Sequence, residues 1–187
     1  MGKDLTEVRS LQRQLVPGIV GLDQHEPTSL QGIANKAKAN KRHRFRDLCR
    51  CVDVELLLYC WGDLNKGAAG GVDGVTAAVY AEHLEANVEA LVERLKTKRY
   101  RTKLVRRCYI PKENGKERAL GIPTLEDKLL QLACSKLVSA IYEQDFLASS
   151  YGYRPGRGPQ DAVRDLTFDL QYGRYSYLVE ADVQGFF

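Results

Sequence analysis

Two cations and one acid in this sequence have the types and spacing for phosphoryl-transfer chemistry. Lys112 and Arg118 flank Glu113-Asn114-Gly115-Lys116, and Asn-Gly between two apolar runs is a strong signal for a tight β-hairpin. Positions at equal distance from such a turn face each other, so the ribbon carries two cations that can aim at one anion. A triphosphate suits them, since lysine supplies a point charge and arginine a planar fork. On spacing alone the plainer reading, two exposed charges on a surface ribbon, is favoured, since basic hairpins are common. Asp182 lies in Val179-Glu180-Ala181-Asp182-Val183, where Glu180 and Asp182 share one face of an expected strand. Its hard carboxylate oxygens suit Mg2+. Two-metal phosphoryl transfer needs bridging carboxylates with the metals about 3.5–4 Å apart, and a single aspartate cannot hold both. Alone, Asp182 reads better as an ordinary strand-end acid bonded to a turn. An aromatic shortly after it, in Gly185-Phe186-Phe187, can lie under a nucleotide sugar and exclude a 2′-hydroxyl; it can also be a core side chain.

Basic residues gather in two stretches. Lys36, Lys38, Lys41, Arg42, Arg44, Arg46 and Arg50 crowd one segment with Asp47 as its only acid. Arg94, Lys96, Lys98, Arg99, Arg101, Lys103, Arg106, Arg107 and Lys112 make the second. Such clusters suit a phosphate backbone, because each contact releases condensed counterions; a solvated helix face has the same composition. In Ser150-Tyr151-Gly152-Tyr153-Arg154-Pro155-Gly156-Arg157-Gly158, arginines and tyrosines alternate with glycines. Arg154 and Arg157 there can grip phosphates or stack on bases, or belong to a surface turn.

The elements that must position these groups follow from pattern. Leu5 to Leu15 keeps a helical period, and a basic helical pattern runs from Ser29 to about Val52. Asp53 and Thr76 are expected N-caps. Tyr80, Leu84, Val88, Leu91 and Leu95 form one amphipathic stripe. Between these helices, residues 65–74 form a loop with four glycines. Residues 104–110 and 117–122 read as hairpin strands. Thr124, three residues before Asp127, opens a helix with Leu125, Leu129, Leu132, Ala133, Leu137, Ala140 and Ile141 as its buried stripe. Residues 161–172 read as helix and 175–183 as a closing strand.

A chain of 187 residues, 44% hydrophobic and 28% charged, accommodates one domain or two small ones. Cys49, Cys51, Cys60, Cys108 and Cys134 form no CxxC pair, and the three histidines complete no zinc spacing. Reduced, largely buried thiols of a cytoplasmic protein are expected. No apolar run is long enough to cross a membrane.

Taken in order, several of these segments resemble one family. They are 67–74 (Gly-Ala-Ala-Gly-Gly-Val-Asp-Gly), 105–112, Asn114-Gly115-Lys116, Arg118-Ala119-Leu120-Gly121-Ile122-Pro123-Thr124, Asp127-Lys128, Ile141-Tyr142-Glu143, 150–158 and 180–187. Together they resemble the amino-terminal half of a group II intron-encoded reverse transcriptase and maturase, over roughly 34–187. The resemblance implies an α+β fold: a basic helical amino-terminal extension and Gly-rich loop (1–75), then fingers and the first strand of a right-hand polymerase palm (76–187). It implies an RNA-directed DNA polymerase that serves retrotransposition and helps its intron RNA splice. Lys112 and Arg118 then match positions on the dNTP phosphates, Asp182 the first Mg2+-binding aspartate, and Phe187 the aromatic that excludes ribonucleotides. The basic amino-terminal residues match the part that holds template and intron RNA. The sequence departs from the pattern by one extra glycine at Gly70-Gly71 and by Gln184 where lysine is common. It also stops before the family's Tyr-Ala-Asp-Asp segment, so a truncated polypeptide that does not polymerise alone is expected, with a downstream polypeptide completing the palm. A non-catalytic RNA-binding module, or an inactive remnant, is the competing reading.

Overall fold

The computed structural model describes residues 28–111, 115, 117–175 and 177–184. The helix expected at 5–15, Lys112 and Phe187 lie outside them. The chain divides into two compact units. The architecture is α+β, six α-helices and one two-stranded sheet among the described residues.

The larger unit, Gln24–Asp145, holds the core. Its α-helices are α1 (Thr28–Ala39), α2 (Val54–Asp63), α3 (Ala77–Ala81), α4 (Leu84–Lys96) and α5 (Leu125–Tyr142), with a 3-10 turn at Leu48–Cys51. Each start is written locally. Asp53 accepts from Leu56 N at 2.9 Å, and Thr76 Oγ1 accepts from Val79 N at 3.4 Å, as expected of N-caps. Leu56, Leu57, Val88, Leu91 and Leu129 are fully buried between α2, α4 and α5. Each contributes about 1.5–3 kcal/mol relative to exposure.

The basic helix is shorter than its pattern suggests. α1 ends at Ala39 because Asn40 draws the chain into a turn: its Oδ1 accepts from Arg42 N at 3.1 Å and its carbonyl from His43 N at 3.0 Å. An asparagine that bonds its own neighbours competes with helix. The stripe from Tyr80 to Leu95 is likewise split in two, with His83 at φ −133°. Asn87 Nδ2 donates to the Tyr80 carbonyl at 3.0 Å, satisfying an acceptor that the break leaves open.

β1 (Arg106–Pro111) and β2 (Glu117–Ile122) pair antiparallel, with Gly115 at φ +74° in the turn. Every strand residue is exposed except the half-buried Ile122. The expectation of buried cysteines fails: only Cys60 is buried, Cys51 is half-buried, and Cys49, Cys108 and Cys134 are exposed free thiols. Cys108 sits on a ribbon whose two faces are both open, which an apolar neighbourhood in sequence cannot reveal.

The smaller unit contains Phe146–Phe187. Its helix, α6 (Pro159–Tyr172), starts where Asp161 accepts from Gly158 N at 3.0 Å. The closing strand is not found. Among the described residues only β1 and β2 pair, and those of 177–183 are exposed without a ladder partner. Alternation in sequence prepares a strand, but a neighbouring backbone makes one. No helix among the described residues is long and apolar enough to cross a membrane.

Burial sets one pH dependence. It pushes the Cys60 thiol up to about 12, and it also raises the phenols of Tyr80 and Tyr100. All three hold their proton more tightly folded than unfolded. Their contribution is therefore complete below the ordinary thiol value of 9.0 and is lost as pH climbs through the folded values. The urea midpoint should fall steadily from about pH 9 upward; a flat or rising midpoint there would exclude this coupling.

Candidate nucleic-acid interface

The hairpin register fixes what its face presents. Arg118 lies opposite Ile110, and Arg106, Cys108, Ile110, Arg118, Leu120 and Ile122 share that face. Arg118 is exposed and makes no bond to another described residue. Its expected neighbour Lys112 is outside the described residues, so the pairing of the two cations is not part of the described geometry.

Four of the eight described residues of the second basic stretch work within the protein. Arg94 Nη2 meets Glu126 Oε1 at 2.5 Å, and Lys103 Nζ meets Asp73 Oδ2 at 3.1 Å. Arg101 Nη1 donates to the carbonyls of Lys98 and Tyr100 at 3.1 and 2.8 Å, and Arg106 Nε to the Gly70 carbonyl at 3.0 Å. Arg99, Arg107 and Arg118 stay exposed and uncommitted among the described residues.

The first basic stretch divides the same way. Lys41 pairs with Asp145 Oδ1 at 2.9 Å and also donates to the Gln144 carbonyl. A cation there satisfies acceptors just beyond the end of α5. Lys36 and Lys38 are exposed on α1. Beyond the turn, Arg42, Arg44 and Arg46 are exposed while His43 and Phe45 alternate with them half-buried, and Phe45 packs on the core. These three guanidiniums are thus exposed, with no partner among the described residues.

Asp127 and Lys128, singled out by sequence, turn out architectural. Asp127 is 4% exposed. It takes the Thr124 hydroxyl on Oδ2 at 2.6 Å and the Tyr100 hydroxyl on Oδ1. Thr124 Oγ1 accepts in turn from Asp127 N at 3.3 Å. Lys128 Nζ donates to the Ala69 carbonyl of the Gly-rich loop. Sequence reasoning had no signal for Lys103, Arg106 or Lys128 as structural ties, because their partners lie 30, 36 and 59 residues away.

In the smaller unit, Arg154 Nη1 donates to the carbonyls of Leu147 and Ser150, both at 2.9 Å, and stacks over Phe146 at 5.0 Å. Arg157 donates to the Ala148 carbonyl and lies 5.6 Å over Tyr151. The Tyr151 hydroxyl reaches Asp165 Oδ2 at 2.6 Å, tying the loop to α6. Both arginines therefore organise the loop. Asp182 is exposed, and its Oδ1 accepts from Val183 N at 2.9 Å. Among the described residues no three His, Cys, Asp or Glu side chains come together to hold a metal. These residues do not by themselves make a divalent-metal site.

No protein-family model matches the chain. It is 38% identical over 163 residues to the group II intron-encoded protein LtrA of Lactococcus lactis subsp. cremoris, covering 84% of this chain and 26% of that one. It is 37% identical over 127 residues to protein YkfC of Escherichia coli (strain K12), covering 66% and 33%. It is 30% identical over 100 residues to a 91 kDa protein in the cob intron of Schizosaccharomyces pombe, covering 54% and 12%. Proteins carried in introns are thus the class to which this α+β chain is similar. Within that class it belongs to the group II intron-encoded reverse transcriptase and maturase family. The chain spans about a third of the length of YkfC and about a quarter of LtrA.

Proposed function

We propose that the chain forms the RNA-holding extension, the fingers and the first palm segment of an RNA-directed DNA polymerase of group II intron type. The observation that carries this is the 38% identity spread over 84% of the chain, which no single short motif produces. The extension and fingers, divided near residue 75, then share one helical core. Arg42, Arg44 and Arg46, with Lys36 and Lys38, hold template and intron RNA through its phosphates. Arg118, with Lys112, meets the triphosphate of an incoming dNTP, and Phe187 screens its sugar. Asp182 contributes one hard oxygen ligand toward Mg2+, the other carboxylates belonging to the longer polymerase. Retrotransposition and help in splicing are activities of that longer protein, and a downstream polypeptide is the partner that completes the palm.

One observation favours a second reading, RNA binding without chemistry. The Asp182 carboxylate bonds its own neighbouring amide and has no carboxylate cluster around it among the described residues. A chimera separates the two, with this chain replacing the aligned stretch of a group II intron reverse transcriptase. The polymerase reading expects Asp182→Ala to abolish primer extension while RNA affinity stays within about twofold. It expects Arg118→Ala to raise KM for dNTP about tenfold or more, the worth of one charge-assisted bond, with a smaller change in kcat. Undiminished extension by the Asp182→Ala chimera would leave only the binding module.

A further inference from the structure

We propose that the Gly-rich loop is a strap that aims the hairpin, with Gly71 as the positioning residue for Arg118. The hairpin has little else to hold it. Its strand residues are exposed except the half-buried Ile122 at its root, so little side-chain packing fixes its direction against the helices. Its two roots are instead tied to one loop. The incoming root is held by Lys103 on Asp73 at 3.1 Å and by Arg106 on the Gly70 carbonyl at 3.0 Å. The outgoing root runs through Pro123 into Thr124, which is buried at the start of α5. There Lys128 holds the Ala69 carbonyl, and Gly71 lies against the chain itself.

The Gly71 contact leaves no room for a side chain. A Cβ on Gly71 would stand 2.5 Å from Thr124 Cα, 2.7 Å from Thr124 N and 2.8 Å from the Pro123 carbonyl oxygen. All three are backbone atoms, which cannot swing aside. Gly71 is itself buried. Its φ lies outside the left-handed region, so the glycine answers a need for space rather than for an unusual backbone. A side chain here would wedge the strap off the outgoing root and turn the ribbon that carries Arg118.

The aim of Arg118 at a nucleotide rests on the function proposed above, whereas the strap itself is a matter of geometry; the test separates them. Spin labels on non-natural residues at Glu89 of α4 and Ala119 of β2 leave the five cysteines untouched. The parent chain should give one narrow distance distribution. Gly71→Ala should shift or broaden it. Gly67→Ala should not, since a Cβ there meets only the Asn65 side-chain oxygen at an ordinary 3.5 Å. Should Gly71→Ala fold poorly, the double variant Arg106→Met/Lys128→Met removes two ties without a clash and should broaden the distribution too. A narrow, unshifted distribution in Gly71→Ala, or in the double variant where that one does not fold, overturns the strap. In the chimeric polymerase, Gly71→Ala should raise KM for dNTP about tenfold, leave kcat within about twofold, and add nothing to Arg118→Ala. A moved hairpin with unchanged KM supports the strap and counts against the nucleotide reading instead.

Discussion

Replacing Arg42, Arg44 and Arg46 together by glutamine should weaken RNA binding by the purified chain about 100-fold at 0.1 M salt. Each phosphate contact contributes a slope of about 0.7 to 0.9 in log K against log salt, depending on strandedness. Three lost contacts should flatten that slope by about 2 to 3, which at 0.1 M is at least two decades of affinity. The three side chains are exposed and have no partner among the described residues, so stability should stay within about 0.5 kcal/mol. Lys41 is the internal control. It has the same charge and lies next in sequence, but its ammonium is on Asp145. Lys41→Gln should therefore change the slope much less than any one of the arginines. Filter binding across a salt series reads both results. An unchanged slope in the triple variant would show that this segment is only a solvated surface.

Asp127→Ala should be the most damaging single polar substitution in the larger unit. The carboxylate accepts two hydroxyls, from Thr124 and Tyr100, in a place that is almost wholly buried. Removing it strands both donors at about 1–3 kcal/mol each and leaves the start of α5 without its bonded side-chain pair. The total, about 2–6 kcal/mol, is a large part of what a domain of this size has. It should lower Tm by about 10 °C or more. Asp127→Asn keeps one acceptor and the shape, so it should recover at least half of the loss. A scanning-calorimetry series on the two variants decides this, and equal small losses would mean that the pair contributes little. The Tyr100 phenol offers a second readout. Its proton is held by burial and by Asp127, so its absorbance titration should move toward lower pH in Asp127→Ala.

The parts legible in the sequence were those whose causes lie within a few residues. Asp53, Thr76 and Thr124 announce helix starts because a cap reaches only three residues ahead. Gly115 announces the turn because a tight hairpin needs a positive φ. The stripe Leu125, Leu129, Ala133 and Leu137 is buried as its period requires. What failed depends on distant partners. The segment 175–183 has the alternation of a strand, but its described residues have no ladder neighbour among the described residues that would make it one. Lys41, Lys103 and Arg106 read as candidate phosphate ligands because their acceptors are far away in sequence. The same blindness hid the role of the Gly-rich loop, whose meaning lies in Thr124 rather than in its own composition. Of the candidate site residues, Arg118 is exposed on the hairpin as its spacing suggested, whereas Arg42, Arg44 and Arg46 are exposed beyond the end of α1 rather than on the longer helix their pattern suggested. Asp182 lies in an exposed irregular segment and bonds the next backbone amide.

The most direct measurement is a structure of the chimeric polymerase bound to an RNA template, a DNA primer and an incoming dNTP. The Arg118 guanidinium should lie within hydrogen-bonding distance of the triphosphate, with Asp182 among the carboxylates facing the same phosphates. Arg118 in solvent, with Asp182 turned away from the nucleotide, would contradict the assignment of this chain to the nucleotide-binding side of a polymerase.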